Sequence, residues 1–238
     1  MKPIRKAFLL AAGLGTRLRP MTETVPKCLV PIKGRPLCDY WFGLCEAHGI
    51  DEILMNTHYL AEQVREYVAG LRRRVCVTLF HEETLLGSAG TVRENAAFVE
   101  GEDAFLVIYA DNLSNVDLTR LLQFHVSHDG LITMGLFHTP FPKQCGIATL
   151  DDAGRIVEFV EKPEQPKSDL ANAGLYVVDA STVADIPDDK PVVDYGHDVL
   201  PCYVGKMYGL PLDCFHLDIG NLESYEKAQA TCPDDIPA

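Results

Sequence analysis

Six consecutive apolar residues, Ala104-Phe105-Leu106-Val107-Ile108-Tyr109, leave few options for the chain that contains them. A strand with one wet face alternates apolar and polar residues. A strand without alternation is covered on both faces, as in the middle of a parallel sheet. The segments before it supply partners of the right kind. Ala7–Ala12, Glu52–Asn56 and Val75–Phe80 read as strands. Pro36 to Ala47, Leu60–Ala69 and Ser88–Ala97 read as helices between them, and Leu118–His128 as one more. Pro36 is well placed at a helix start. Strand and helix patterns alternating in this way predict an α/β fold with a doubly wound sheet. The second half changes character. Leu131–Phe137, Gly146–Leu150, Arg155–Glu161 and Ala173–Val178 read as strands, Asp151-Asp152-Ala153-Gly154 as a hairpin turn, and Leu222–Ala230 as a closing helix.

The first strand empties into Leu10-Ala11-Ala12-Gly13-Leu14-Gly15-Thr16-Arg17-Leu18-Arg19-Pro20, with Pro26-Lys27 beyond. Two glycines allow close approach of backbone to a ligand, and their N–H groups can face phosphate oxygens. Arg17 and Lys27 add full positive charge. The parts describe a polyphosphate site. Two commoner phosphate loops are excluded. A P-loop needs a Gly-Lys-Ser/Thr ending, whereas Thr16-Arg17 follow Gly15, and a dinucleotide fingerprint needs a third glycine where Leu18 stands. That substitution also disfavours a nicotinamide-dependent oxidoreductase.

The string from Gly13 through Lys27 resembles the signature of the sugar-1-phosphate nucleotidylyltransferases, and later segments are similar too: Leu86-Gly87-Ser88-Ala89-Gly90, Tyr109-Ala110-Asp111, Glu161-Lys162-Pro163, Asn172-Ala173-Gly174 and Asp218-Ile219-Gly220. The likeness is greatest to the short guanylyltransferase-type members acting on mannose or heptose 1-phosphates. The resemblance implies a Rossmann-like, doubly wound mixed sheet, the nucleotide-diphospho-sugar transferase fold. It implies one domain over residues 1–238, with a nucleotide-binding part over about 1–130 and a sugar-phosphate part over about 131–238. Longer members add a left-handed β-helix. The sequence stops too soon for one, so no acetyltransferase function is expected. The reaction implied joins a nucleoside triphosphate, GTP by preference, to a sugar 1-phosphate, with Mg²⁺ as cofactor and pyrophosphate as by-product.

Asp111 follows the apolar strand, at the end where open α/β sheets bind ligands. Asp218 follows Cys214-Phe215-His216-Leu217. Two distant carboxylates can converge on one Mg²⁺, which takes oxygen ligands and keeps water while binding phosphates. On position alone, either aspartate reads equally well as a helix cap. The resemblance assigns both to the metal and makes Arg17, Lys27 and Asp111 the catalytic set. It places Leu10, Ala12, Gly13, Gly15, Thr16, Arg17, Glu82, Gly87 and Ser88 on the nucleotide. Gly146, Glu161, Lys162, Asn172 and Gly174 fall to the sugar phosphate. Glu82 offers a carboxylate for the paired N–H donors of guanine, and this favours GTP. His216, Leu217 and Asn221 depart from the family's usual residues around Asp218, which leaves the sugar open. Cytidylyl or uridylyl transfer, to another sugar phosphate or to a phosphorylated alcohol such as phosphocholine, is the alternative. A non-catalytic subunit of the same fold is a further one, and the presence of all four charged residues tilts against it.

Charge agrees with a small anionic substrate. Residues 1–40 carry eight Lys or Arg against two acids, a net +6, so the rest of this −13 chain sums to −19. An acidic protein with one cationic segment focuses small anions there, and it lacks the basic surface that nucleic acid requires. No apolar run reaches the ~18 residues of a membrane-spanning helix, and no membrane partner is expected. Eight cysteines form no C-x-x-C pair, so a reducing cytoplasm is the expected compartment. Oligomeric state stays open, with a homodimer as the form entertained.

Overall fold

The computed structural model describes residues 2–237. Along the chain run β1 (Lys6–Leu10), β2 (Pro31–Ile32), β3 (Arg35–Pro36), α1 (Leu37–Ala47), β4 (Glu52–Thr57), α2 (Ala61–Ala69) and β5 (Cys76–His81). Then come α3 (Ser88–Glu94), β6 (Ala104–Tyr109), β7 (Asn112–Ser114), α4 (Leu118–Val126), β8 (Ile132–His138), β9 (Gly146–Leu150), β10 (Ile156–Glu161) and β11 (Leu170–Asp179). The chain closes with β12 (Met207–Pro211), β13 (His216–Asp218) and α5 (Leu222–Thr231). The fold is mixed α/β, as the alternation of patterns indicates. Two compact units divide it. The β1 unit comprises Arg5–Leu85, Ile108–Leu118 and the chain from Cys214 onward, and the β8 unit comprises the chain up to Ile4, Leu86–Val107 and Thr119–Asp213.

In the β1 unit, β1 pairs parallel with β4 from Lys6↔Glu52 to Leu9↔Met55, and β4 pairs parallel with β5. The Ala110 N–H donates to Leu10 O at 3.0 Å, extending the ladder past the end of β6. Ala7, Phe8 and Leu9 are fully buried, as an unalternating apolar strand must be. Helix α1 buries every residue from Leu37 to Cys45. One of them, Asp39, is charged, and Arg35 Nε and Arg73 Nη2 hold its carboxylate at 2.8 and 2.6 Å. Burial alone would raise its pKa, but the Arg73 and Arg35 hydrogen bonds and charges outweigh that and lower it.

In the β8 unit the pairing turns antiparallel. β11 runs against β8, and β10 runs against β9 across the Asp151–Gly154 turn. β12 lies parallel to β8, from Met207↔Ile132 to Pro211↔Leu136. The sheet is therefore mixed. The register of β11 shifts between Asn172 and Tyr176, at the bulge that contains Gly174 with φ +62°.

Candidate active site

The glycine loop is built by its own neighbours as much as for a ligand. Gly15 has φ +63°, a conformation that strains any residue with a side chain. A Cβ there would also lie 3.0 Å from Thr22 Cγ2 and 3.1 Å from Lys27 Cβ. Thr22 is buried and its hydroxyl donates to Gly15 O at 2.7 Å, which pins the turn. Gly13 differs: nothing lies within 4 Å of the place its Cβ would take, so that face is open. Leu18 is fully buried and anchors the segment, leaving Thr16, Arg17 and Arg19 exposed on either side.

Upstream of the loop, the Ala11 N–H donates to Asn56 Oδ1 at 2.5 Å, and Asn56 Nδ2 donates to Glu82 Oε1 at 2.8 Å. Glu82 is only 2% exposed. It thus braces the strand ends from which the loop springs, with one carboxylate oxygen engaged by Asn56. Ala12 is buried, and the Leu10 carbonyl is taken by Ala110 N–H. Thr22 lies inside the Gly13–Lys27 string, but its part in pinning the turn is visible only in the structure, and Asn56 belongs to no motif, since an isolated Asn at the end of an apolar strand carries none.

The two distant aspartates meet for a plain reason. β7 and β13 form a short antiparallel ladder in which Asp218 lies opposite Asn112 and His216 opposite Ser114. The Ile219 N–H donates to Asp111 O at 2.9 Å, continuing that ladder by one step. Buried Trp41 fixes β7 by donating from Nε1 to Asn112 O at 2.7 Å. Onto this pair of carboxylates the cations converge. Lys27 Nζ stands 2.7 Å from Asp111 Oδ2, with Lys27 itself almost covered. A Cβ at Gly220 would lie 3.0 Å from Asp218 Oδ2 and 3.2 Å from Arg17 Nη2, so the guanidinium and the Asp218 carboxylate flank the same glycine. Arg17, Lys27, Asp111 and Asp218 are therefore brought together within one unit.

Although the Asp218 side chain reaches solvent, the protein packed round its carboxyl raises its pKa first, and the negative charge of Asp111 raises it further; Lys27 and Arg17 pull the other way. Two carboxylates that repel one another, offering oxygen alone, suit a hard divalent cation that keeps several waters. Among the described residues no group of three or more His, Cys, Asp or Glu forms a metal cage, and Mg²⁺ does not call for one.

The β8 unit holds the other candidates. Gly87 has φ +80°, and a Cβ there would meet Val193 O at 2.4 Å. Ala89 and Gly90 N–H groups donate to that carbonyl, and Ser88 Oγ donates to Asp194 Oδ2 at 2.7 Å. This loop is thus closed against residues 193–195. Glu161 faces Gly146 across β9 and β10. Lys162 follows with φ +49°, uncommon for a residue with a side chain, and its exposed Nζ is 3.9 Å from Glu161 Oε1. Such backbone outliers gather where function fixes the geometry. Asn172 spans the β11 bulge: Oδ1 accepts from Gly174 N–H at 2.9 Å and Nδ2 donates to Tyr176 OH at 2.6 Å.

The chain is similar to known proteins over nearly its whole length. The family model described as nucleotidyl transferase matches residues 6–235. A UTP–glucose-1-phosphate uridylyltransferase of Synechocystis is 32% identical over 94% of the chain and 62% of the relative. A mannose-1-phosphate guanylyltransferase of Mycobacterium tuberculosis is 31% identical over 94% of the chain and 63% of the relative. The chain thus spans about three fifths of the length of these relatives. In fold it is similar to the crystal structure of HddC from Yersinia pseudotuberculosis complexed with GMP-PN, with a TM-score of 0.80 and 24% identity over 95% of this chain and 99% of the other. With all but a few residues at either end matched, and the signature loop and paired aspartates in place, the chain belongs to the nucleotidyl transferase family, that of the sugar-1-phosphate nucleotidylyltransferases.

Proposed function

We propose that this chain transfers a nucleoside monophosphate from a nucleoside triphosphate to a sugar 1-phosphate. The observation that carries the reading is the meeting of Arg17, Lys27, Asp111 and Asp218 in one unit, beside a glycine loop with an open face at Gly13. Asp111 and Asp218 would hold a Mg²⁺ ion, which when bound neutralises phosphate charge. The reaction needs no covalent enzyme intermediate. An oxygen of the sugar phosphate attacks the α-phosphorus in line, the new P–O bond forms, and the bond from the α-phosphorus to its β-bridging oxygen breaks. Pyrophosphate leaves with the electron pair. The second pKa of a phosphate monoester is about 6, so the attacking oxygen is already largely ionised at neutral pH and no general base is required. The residues' task is positioning and charge stabilisation. Arg17 grips the departing pyrophosphate, exposed Thr16 and the Gly13 backbone offer donors, and Lys27 offsets charge at the α-phosphate. In the β8 unit, Lys162 and Glu161 take the phosphate and hydroxyls of the sugar.

GTP is the donor we favour, supported by the guanylyltransferase relative at 31% identity; the uridylyltransferase relative at 32% keeps UTP as the second reading. Glu82 lends less support than its sequence position promises, since Asn56 engages one of its oxygens. Competition among the four triphosphates for pyrophosphate release, with mannose and glucose 1-phosphates as acceptors, tests both. GTP-selective release is the expected result. UTP-selective release installs the second reading, and no release with any pair refutes catalysis.

A further inference from the structure

Glu161 is an unusual carboxylate. Its side chain is only 19% exposed, and among the described residues its nearest charged partner is Lys162 Nζ at 3.9 Å, beyond hydrogen-bond range. Protein packed round it raises its pKa, as does Asp194, while Lys162 and His197 work against that rise. Two glycines clear the space it occupies. A Cβ at Gly146 would lie 2.5 Å from Glu161 Oε2, and one at Gly196 would lie 3.2 Å from the same oxygen. Gly146 is its cross-strand neighbour, so that contact follows from β-sheet pairing. Gly196 comes from a segment 35 positions away in sequence, so its approach needs its own explanation.

The explanation is the turn Asp194-Tyr195-Gly196-His197-Asp198, in which Asp194 caps a π-helix that runs over Tyr195–Val199 with wide i→i+5 geometry. Asp194 organises it. Its Oδ1 accepts from Gly196 N–H at 2.8 Å, its Oδ2 accepts from Ser88 Oγ at 2.7 Å, and its own N–H donates to Asp198 Oδ2 at 2.7 Å. The Tyr195 N–H donates to Ser88 Oγ at 2.8 Å, and its ring stacks on Tyr176 with centroids 5.6 Å apart. Ser88 thus bonds both to the side chain of Asp194 and to the backbone of Tyr195. His197, next to Gly196, is exposed on this turn.

We propose that the Asp194–Asp198 turn is a positioning and specificity element. Through Gly196 it holds the Glu161 carboxylate in the orientation from which it accepts hydrogen bonds from neighbouring hydroxyls of a sugar 1-phosphate. The proposal rests on the transferase reading above and extends it to residues outside the signature motifs. Gly196 does not adopt a left-handed φ, so Gly196→Ala strains no backbone, and its methyl acts by crowding Glu161 and Asp194.

The test compares wild type, Gly196→Ala and the control Gly70→Ala, whose methyl meets nothing nearer than Tyr67 O at 3.5 Å. The expected result for Gly196→Ala is a rise of roughly tenfold in KM for the sugar 1-phosphate, the scale of one lost hydrogen bond to a charged group. KM for the triphosphate should stay within about twofold, because uniform loss of binding for one substrate alone appears in that KM. The ¹³C resonance of the Glu161 carboxyl, recorded in free protein, should shift in Gly196→Ala and not in Gly70→Ala. Equal rises in both KM values, or an unmoved Glu161 resonance, overturn the proposal. If wild type turns over no sugar 1-phosphate, the transferase reading fails, while the resonance still decides whether Gly196 places Glu161.

Discussion

At the scale of single residues, Tyr195 shows how far a side chain can be committed to packing. Its ring is 1% exposed and stacked on Tyr176, and its hydroxyl has no hydrogen-bond partner among the described residues. Burial pushes its pKa far up, with Tyr176 and Tyr203 adding to the rise. A buried hydroxyl without a partner costs more than it returns, and removing it relieves that cost. Tyr195→Phe is expected to stabilise the protein by about 1 kcal/mol, raising the thermal midpoint by about 2–4 °C for a chain of this size. A lowered midpoint in calorimetry would mean that the hydroxyl is satisfied in solution. Single polar residues are also where the sequence is least legible. Glu82 and Ser88 carry donors and acceptors suited to a nucleotide, yet Asn56 and Asp194 engage them inside the protein. Nothing local in sequence distinguishes a polar group waiting for a ligand from one serving a neighbour 26 or 106 positions away.

At the scale of elements, the end of α4 and the start of β8 are joined by a chain of hydrogen bonds. The Gly130 N–H donates to His128 Nδ1 at 3.0 Å, so that nitrogen is bare and the His128 proton sits on Nε2. His128 Nε2 then donates to Thr133 Oγ1 at 2.8 Å, and the same hydroxyl is hydrogen-bonded with His125 Nδ1 at 2.9 Å. Both imidazoles are held neutral. Burial, with His128 adding to it against Asp179, lowers the His125 pKa to about 4. The sign follows directly. The unfolded chain, with a His pKa near 6.5, takes up the proton first. Stability is therefore complete above about pH 6.5 and is lost as pH falls toward 4. The stability difference between pH 7.5 and 4.5, measured by urea unfolding, should shrink by about 2 kcal/mol in His125→Gln. An unchanged difference would mean that His125 titrates normally in the folded state. Elements are also the scale at which the sequence is most legible. β6 is legible to the residue because an unbroken apolar run between polar turns admits one assignment, and β9 because the Asp151–Gly154 hairpin turn fixes where it ends. The helix read as Ser88–Ala97 ends at Glu94 and passes into a 3₁₀ turn over Ala96–Val99. β7, β12 and β13 went unread, because such short segments, Met207–Pro211 with a glycine and a proline, are strands only through their partners.

At the scale of the molecule, both compact units draw on separated stretches of chain. The nearness of Asp111 to Asp218 arises from that arrangement, since Ile108–Leu118 and the segment from Cys214 onward belong to the same unit as the glycine loop. A motif search finds the loop, but only the β7–β13 ladder explains why two aspartates more than a hundred positions apart share a site. The ladder does not depend on either carboxylate, because its hydrogen bonds are backbone to backbone and Trp41 anchors it independently. Chemistry and folding are therefore separable at this site. The most direct test is the steady-state release of pyrophosphate from GTP and mannose 1-phosphate with Mg²⁺ by wild type, Asp111→Asn and Asp218→Asn, with melting recorded in parallel. The expected result is turnover by wild type and a loss of roughly a hundredfold or more in each variant, the scale of removing one stabiliser of transition-state charge, at unchanged melting. Undiminished turnover in both variants would contradict the account.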